Sequence, residues 1–366
     1  MQQRITHIDT IRGLAIMGIL VMNTVSFGLG SLAYFDISAT GTVTLVDGIL
    51  AVCGEIFADQ KFMGLFSLLF GASFLLFIER VQRRSKYPAC LTLWRNSLLF
   101  IFGILHLQLW EGDILSVYAL CSPLLIVCRH CSAITLLSLG GVIFCLSPIS
   151  SIIMALNIEG EVIKKALEAG TFERGLESYV GLTLLIDIFA RALGMMFIGM
   201  GLFKQGWLTM DVGSKSLRFN LIIIFITSIL NGLGVYWTYH QDFDGQAMIW
   251  GTLANTLTLI PMVLAYCRLF MWWDQSSQSL LVSKVRALGR MALSNYISQT
   301  LICLSIFYML PTLMISRTTI WVVVILIWVL QLTWSEAWLK SYRLGPLEWL
   351  WRSATYRRLE PLKHRT

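Results

Sequence analysis

The sequence predicts an all-α polytopic membrane protein, a transmembrane helix bundle of about ten spans with both ends on the cytoplasmic side. Three observations predict it. Of 366 residues, 56% are hydrophobic and 13% charged, about half the charge that a soluble chain of this length uses to solvate its surface. Apolar runs close to the ~20 residues that cross the hydrocarbon core recur along the whole chain. Basic residues between those runs alternate between dense and sparse, as the positive-inside rule requires.

Against that length the spans fall at 13–33, 58–78, 92–110, 114–128, 132–155, 180–203, 219–239, 247–271, 291–310 and 318–339. Arg4 and Arg12 precede an apolar stretch that outruns the ~7–15-residue core of a signal peptide, so it reads as a retained first helix. The second span carries Asp59 and Lys61 near its start, and the fourth is short. Segment 44–57 holds Asp47 and Glu55. It reads as an interfacial or re-entrant helix rather than an eleventh span.

Charge placement tests this map. With the N-terminus inside, the inner segments carry 22 of the 28 Lys and Arg residues, including Arg80, Arg83, Arg84, Lys86 and Arg95 in one loop. The outer loops hold Lys61, Lys164, Lys165, Arg174 and Arg317, and Arg191 lies within a helix. The loop 156–179 is mixed in charge and expected to be partly helical. Residues 1–340 form the bundle, and 341–366 a cytoplasmic tail whose Trp349, Trp351, Arg352, Arg357 and Arg358 suit an anionic inner leaflet.

Several classes fall away. No loop reaches the ~50 residues of a small domain, no phosphate-binding Walker loop is present, and the basic clusters lack the stripe of a nucleic-acid binder. Cys128 and Cys131 form a CxxC, but a lone pair is a poor zinc site and reads as a helix–helix turn. The lipid bilayer is the expected partner, with no bound cofactor or metal and an open oligomeric state.

Ionisable groups at membrane depth cost several kcal/mol and need a partner or a task. Asp187 and Arg191, at i and i+4 on the sixth span, read either as a structural ion pair or as charges facing a substrate. His106 near the outer end of the third span and Asp113 in the following turn read either as an oriented general base or as a histidine that bonds a neighbouring helix. Asn295 and Gln299 share a face of the ninth span, which opens at Arg290, and such amides serve as interhelical glue or as substrate contacts. Asn23 lies about 16 Å along the first helix from Arg12, near mid-membrane.

The stretches Asp9 to Ala15 through Asn23, Lys61-Phe62 with Leu65 to Gly71, His106 with Trp110 to Leu115, Gly289 to Tyr296 with Gln299, and Gly345 to Leu350 carry a resemblance. They resemble the YeiB-type family of bacterial inner-membrane proteins, a domain of unknown function (418), over nearly the whole chain. At a greater remove the chain is similar to multi-pass acyltransferases that pass an acyl group from cytoplasmic acyl-CoA to an extracytoplasmic sugar. The resemblance implies the bacterial inner membrane and acyl-CoA as donor. One branch of those enzymes has Arg, ten residues, then His on the first helix. Arg12 keeps that spacing, but Asn23 stands where the His would be, and an amide is no base at neutral pH. That role passes to His106 with Asp113, with Arg12 drawing the acyl-CoA phosphates and Lys61 or Arg191 holding the acceptor.

Two other readings stay open. A transporter or exporter of a small solute or lipid intermediate would line its path with Asp187, Arg191, Asn231, Asn255 and Gln299. A non-catalytic scaffold would use the same polar groups for packing alone.

Overall fold

The computed structural model describes residues 6–37, 44–83, 86–168, 179–309 and 315–364. Arg4, Arg84, Arg174 and Arg365, counted in the charge map above, lie outside them. Among the described residues the regular structure is helical, and the one β-bridge pairs Tyr342 with Lys363.

Fourteen α-helices follow in order: α1 Thr6–Leu29, α2 Leu45–Phe57, α3 Lys61–Gln82, α4 Pro88–Leu107, α5 Leu115–Val127, α6 Ala133–Asn157, α7 Gly160–Glu168, α8 Tyr179–Lys204, α9 Ser214–His240, α10 Gly245–Ser276, α11 Leu280–Arg290, α12 Ala292–Met309, α13 Arg317–Ser341 and α14 Pro346–Tyr356. Among the described residues eight stretches are long and apolar enough to cross a membrane: α1, α2 joined to α3, α4, α6, α8, α9, α10 and α13. The short apolar α5 and the 18-residue α12 stand where the other two spans were expected. Large apolar side chains stand exposed along the outer faces, among them Phe219, Ile222, Phe225 and Leu233 on α9 and Val322, Leu326 and Val329 on α13. Those faces suit lipid, while Asp, Asn, Gln and Thr are buried between helices. It is a polytopic α-helical membrane protein.

Between helices in lipid there is little hydrophobic drive, so small residues let backbones approach. A Cβ built on Gly199 of α8 would sit 1.9 Å from the Leu68 carbonyl oxygen of α3, and one on Gly71 of α3 would sit 2.0 Å from the Met196 oxygen of α8. The same reciprocity joins α1 to α11, where Gly13 meets the Val285 oxygen at 2.2 Å and Gly289 meets the Asp9 oxygen at 1.8 Å. Gly140 and Gly194 do this for α6 and α8.

Several boundaries differ from the sequence map. The first span was expected over 13–33, but α1 is already helical at Thr6, the first described residue, and stops at Leu29 because Gly30 turns into the left-handed region at φ +85. Segment 44–57 is one 13-residue helix, α2, closed at its start by a reciprocal Thr44–Asp47 cap. At ~1.5 Å per residue it is too short to cross alone. It breaks from α3 at Ala58–Gln60, where Gln60 is left-handed. The amphipathic α11 was not anticipated: at 11 residues it falls below a length ruler tuned to crossings. The tail is docked rather than loose, because Trp351 Nε1 donates to the Arg95 carbonyl at 2.8 Å and the Arg95 guanidinium stacks 4.0 Å from the Trp351 ring.

Candidate functional site

Three buried polar groupings occupy the bundle, and they differ in what they can do. The first forms where α4, α5 and α12 meet. His106 is in the last turn of α4, and its carbonyl accepts the Leu109 and Trp110 amides at 2.9 and 3.0 Å, which starts the reversal into α5. Asp113 ends that reversal and accepts the Ser116 amide at 2.9 Å through Oδ2, capping the α5 N-terminus. Gly103, one turn before His106, permits this approach, since a Cβ there would lie 2.5 Å from the Ser116 nitrogen.

The other Asp113 oxygen lies 2.8 Å from His106 Nδ1, and His106 Nε2 lies 2.8 Å from Thr300 Oγ1 on α12. Both side chains of the His106–Asp113 pair are wholly out of solvent, and Thr300 is 1% exposed. With Asp113 ionised and the imidazole neutral, Nδ1 carries the proton and Nε2 accepts from the threonine hydroxyl. The result is a directed chain, hydroxyl to imidazole to carboxylate, anchored on a helix N-terminus. The Tyr296 ring lies 5.0 Å from the imidazole, and Trp110, half-buried, stands edge-on at 6.2 Å.

The second grouping surrounds the break between α2 and α3. Asp59 accepts from the Tyr34 hydroxyl and from Asn255 Nδ2 at 2.7 Å on its other oxygen. Lys61 is fully buried, and its ammonium donates to the Glu55 carbonyl at 2.8 Å. Glu55, Tyr34 and Arg317 line a cavity of about 20 Å³ between α1, α2 and α13, room for roughly one water. Arg317 donates to the Ala33 carbonyl, while its buried Nε has no partner.

The third is Asp187 with Arg191. Arg191 reaches Asp187 through Nε at 3.0 Å and Nη2 at 2.9 Å, and also donates to Ser147 of α6 and Thr256 of α10, each at 3.0 Å. Ser147 donates to the same Asp187 oxygen. This pair ties α6, α8 and α10 together.

The remaining candidates are dispersed. Arg12 is half-buried between Asp9 at 3.3 Å and Ser73 at 2.9 Å. Asn23 is partly buried in α1. Arg290 ends α11 and donates to the Arg343 carbonyl at 3.1 Å. Asn295 donates to the Leu288 carbonyl and to Ser335, each at 3.0 Å, and accepts from Trp334 at 2.7 Å. Gln299 donates to Gln331 at 2.9 Å, and Gln331 returns to the Asn295 carbonyl at 2.9 Å. These two amides stitch α12 to α11 and α13. Expected substrate contacts thus do not converge on one pocket: His106 and Asp113 are joined, and the rest lie elsewhere. Among the described residues no three His, Cys, Asp or Glu side chains gather as a metal site would need.

Sequence reasoning missed Thr300, Tyr34, Asp59 as an acceptor, and Glu348. The Glu348 carboxylate accepts the Leu293 and Ser294 amides at 2.7 and 3.1 Å and so caps α12 from α14. A signal for it was present in the paired stretches Gly289 to Tyr296 and Gly345 to Leu350.

A family model described as "Protein of unknown function (DUF418)" matches residues 202–358. The Escherichia coli (strain K12) "Uncharacterized protein YeiB" is 30% identical, with the whole of both chains covered. The chain belongs to the YeiB (DUF418) family. Also similar is the "Uncharacterized 39.9 kDa protein in amylase 3'region" of Bacillus acidopullulyticus, 29% identical over 99% of this chain and 96% of the relative. Bacillus subtilis (strain 168) "Uncharacterized protein YxaH" is 27% identical over 100% of this chain and 97% of the relative. No solved structure matches. The YeiB-family match at 202–358 takes in Thr300 and Glu348, whereas His106 and Asp113 lie in the part that the full-length relatives cover.

Proposed function

We propose that this YeiB-family protein is a membrane acyltransferase that moves an acyl group from cytoplasmic acyl-CoA to the hydroxyl of an extracytoplasmic glycan or lipid, with His106 as its general base. One observation carries the reading: a buried imidazole held on one nitrogen by a helix-anchored carboxylate and offering the other to a hydroxyl at 2.8 Å. Packing alone does not require a titratable group there, since the amides on α12 and α13 pack without one. A base within hydrogen-bond reach of a hydroxyl proton accelerates acyl transfer by about 10²–10⁴-fold.

The protein sits in the bacterial inner membrane with both termini cytoplasmic, as the alternation of basic loops supports. Arg12, at the inner end, draws the donor's phosphates. Arg191 is already engaged through Nε and Nη2 by Asp187, Ser147 and Thr256, which leaves Lys61, with one acceptor among the described residues, as the better contact for an acceptor substrate. The closed site requires the half-buried Trp110 to move for substrate to enter. The test is thiol release from acetyl-CoA or octanoyl-CoA by purified protein in proteoliposomes. Release that His106→Gln lowers about 100-fold without changing the melting temperature supports the reading. A wild-type protein that neither binds nor cleaves the thioester defeats it.

One observation favours a transporter instead: the Glu55–Arg317 cavity lies beside a buried, sparsely partnered Lys61, apart from His106. Solute movement in the same liposomes without thioester cleavage, abolished by Lys61→Met, would select that reading.

A further inference from the structure

Most buried threonines in these helices follow one habit, Thr10 being an exception that donates to the Asp274 carboxylate. Thr24, Thr92, Thr227, Thr238 and Thr258 each return the hydroxyl proton to the carbonyl four residues back, at 2.7 to 3.1 Å. That local bond is the default for a threonine with no water nearby. Thr300 departs from it. Its hydroxyl meets His106 Nε2 at 2.8 Å, across 194 positions of sequence, and the imidazole behind it is held by Asp113. A nucleophile bonded to a base, with the base oriented by a third group, is the arrangement that activates a hydroxyl for covalent catalysis. One turn earlier on the same face of α12, Tyr296 is 3% exposed; its hydroxyl oxygen faces the Ile114 backbone amide, and its O–H meets no acceptor among the described residues.

We infer that Thr300 is the acyl-carrying nucleophile, so that transfer runs in two steps through a threonyl ester. The inference rests on the acyltransferase reading and goes beyond it, because His106 could also activate an acceptor directly. In the first step Thr300 Oγ attacks the thioester carbonyl carbon while its proton passes to His106 Nε2. The tetrahedral intermediate collapses, the C–S bond breaks, and the sulfur leaves as thiol with the proton from His106. In the second step the acceptor hydroxyl gives its proton to His106 and attacks the ester carbonyl. The bond to Thr300 Oγ then breaks, and that oxygen recovers the proton. Tyr296 supplies a spare donor for the oxyanion of both intermediates. No oxidant, metal or further reactant enters the balance.

The test incubates full-length protein in proteoliposomes with acyl-labelled acetyl-CoA or octanoyl-CoA, without acceptor. After acid quench, peptides are mapped by mass spectrometry. The expected result is an alkali-labile acyl group on Thr300, retained in Thr300→Ser and absent in Thr300→Val, with thiol release lowered about 10²–10³-fold in the latter. Melting temperatures of both variants separate lost chemistry from lost folding, and the wild-type map decides the matter even if Thr300→Val does not fold. Thiol release with no ester on Thr300, or with the acyl group on another residue, overturns the inference and leaves the acyltransferase reading standing. A wild-type protein that neither binds nor cleaves the thioesters overturns both.

Discussion

His106–Asp113–Thr300 is fully out of solvent and Asp187–Arg191 nearly so, with the aspartate side chain 15% exposed, yet only one of them can move a proton. The Arg191 guanidinium only donates, and its Nε and Nη2 end on Asp187, Ser147 and Thr256. Every group there has one role, and that role is to hold α6, α8 and α10 in register. In the other cluster a hydroxyl, an imidazole and a carboxylate form a line with a titratable group at its centre. Burial makes both expensive, so burial does not mark function here. What separates them is whether the network contains an imidazole, which can take a proton at one nitrogen while the other is held, or only a guanidinium, which donates and cannot accept.

The largest expected effect breaks the first region. His106→Gln and Asp113→Asn should each cut acyl transfer about 10²–10⁴-fold with little change in melting temperature, read in the proteoliposome thiol assay. Asp113→Ala should do the same and also destabilise the protein by about 1 kcal/mol, because it removes the cap on Ser116. The second region should behave oppositely. Arg191→Met leaves Asp187 buried without its cation and should cost about 3–5 kcal/mol in thermal unfolding. Pairing it with Asp187→Leu should restore much of that stability, and the folded fraction should keep its activity.

How much of this contrast was legible in the sequence follows from range. Asp187 and Arg191 are four residues apart, and His106 and Asp113 share one helix–turn, so local spacing exposes both pairs. Thr300 looks like every other threonine in an apolar helix; only the packing of α12 on α4 sets it apart. The Tyr34–Asp59–Asn255 cluster is hidden for the same reason, being drawn from three distant segments. The positions of the long spans were legible because lipid imposes a length, whereas α11 and α14 obey no such ruler and emerge from contacts with α1 and α4.

A smaller effect sharpens the role of α14. Burial pushes the Glu348 carboxyl above the usual glutamate range, against the hydrogen bonds from Ser294 and Leu293 that favour its charged form. Its folded state therefore holds a proton more firmly than the unfolded chain. The associated stability is fully present below about pH 4.3 and is lost as pH rises through the folded value. Glu348→Gln should flatten this part of the stability–pH curve in detergent, with a change at neutral pH of about 1 kcal/mol or less.

The most direct measurement of the central claim is the pH dependence of thiol release from acetyl-CoA by wild-type protein and by Asp113→Asn. A far lower rate is expected in the variant, with a pH profile that departs from the wild type's because an amide at that position no longer holds the imidazole as the carboxylate does. Equal rates and identical profiles in the two proteins would contradict it.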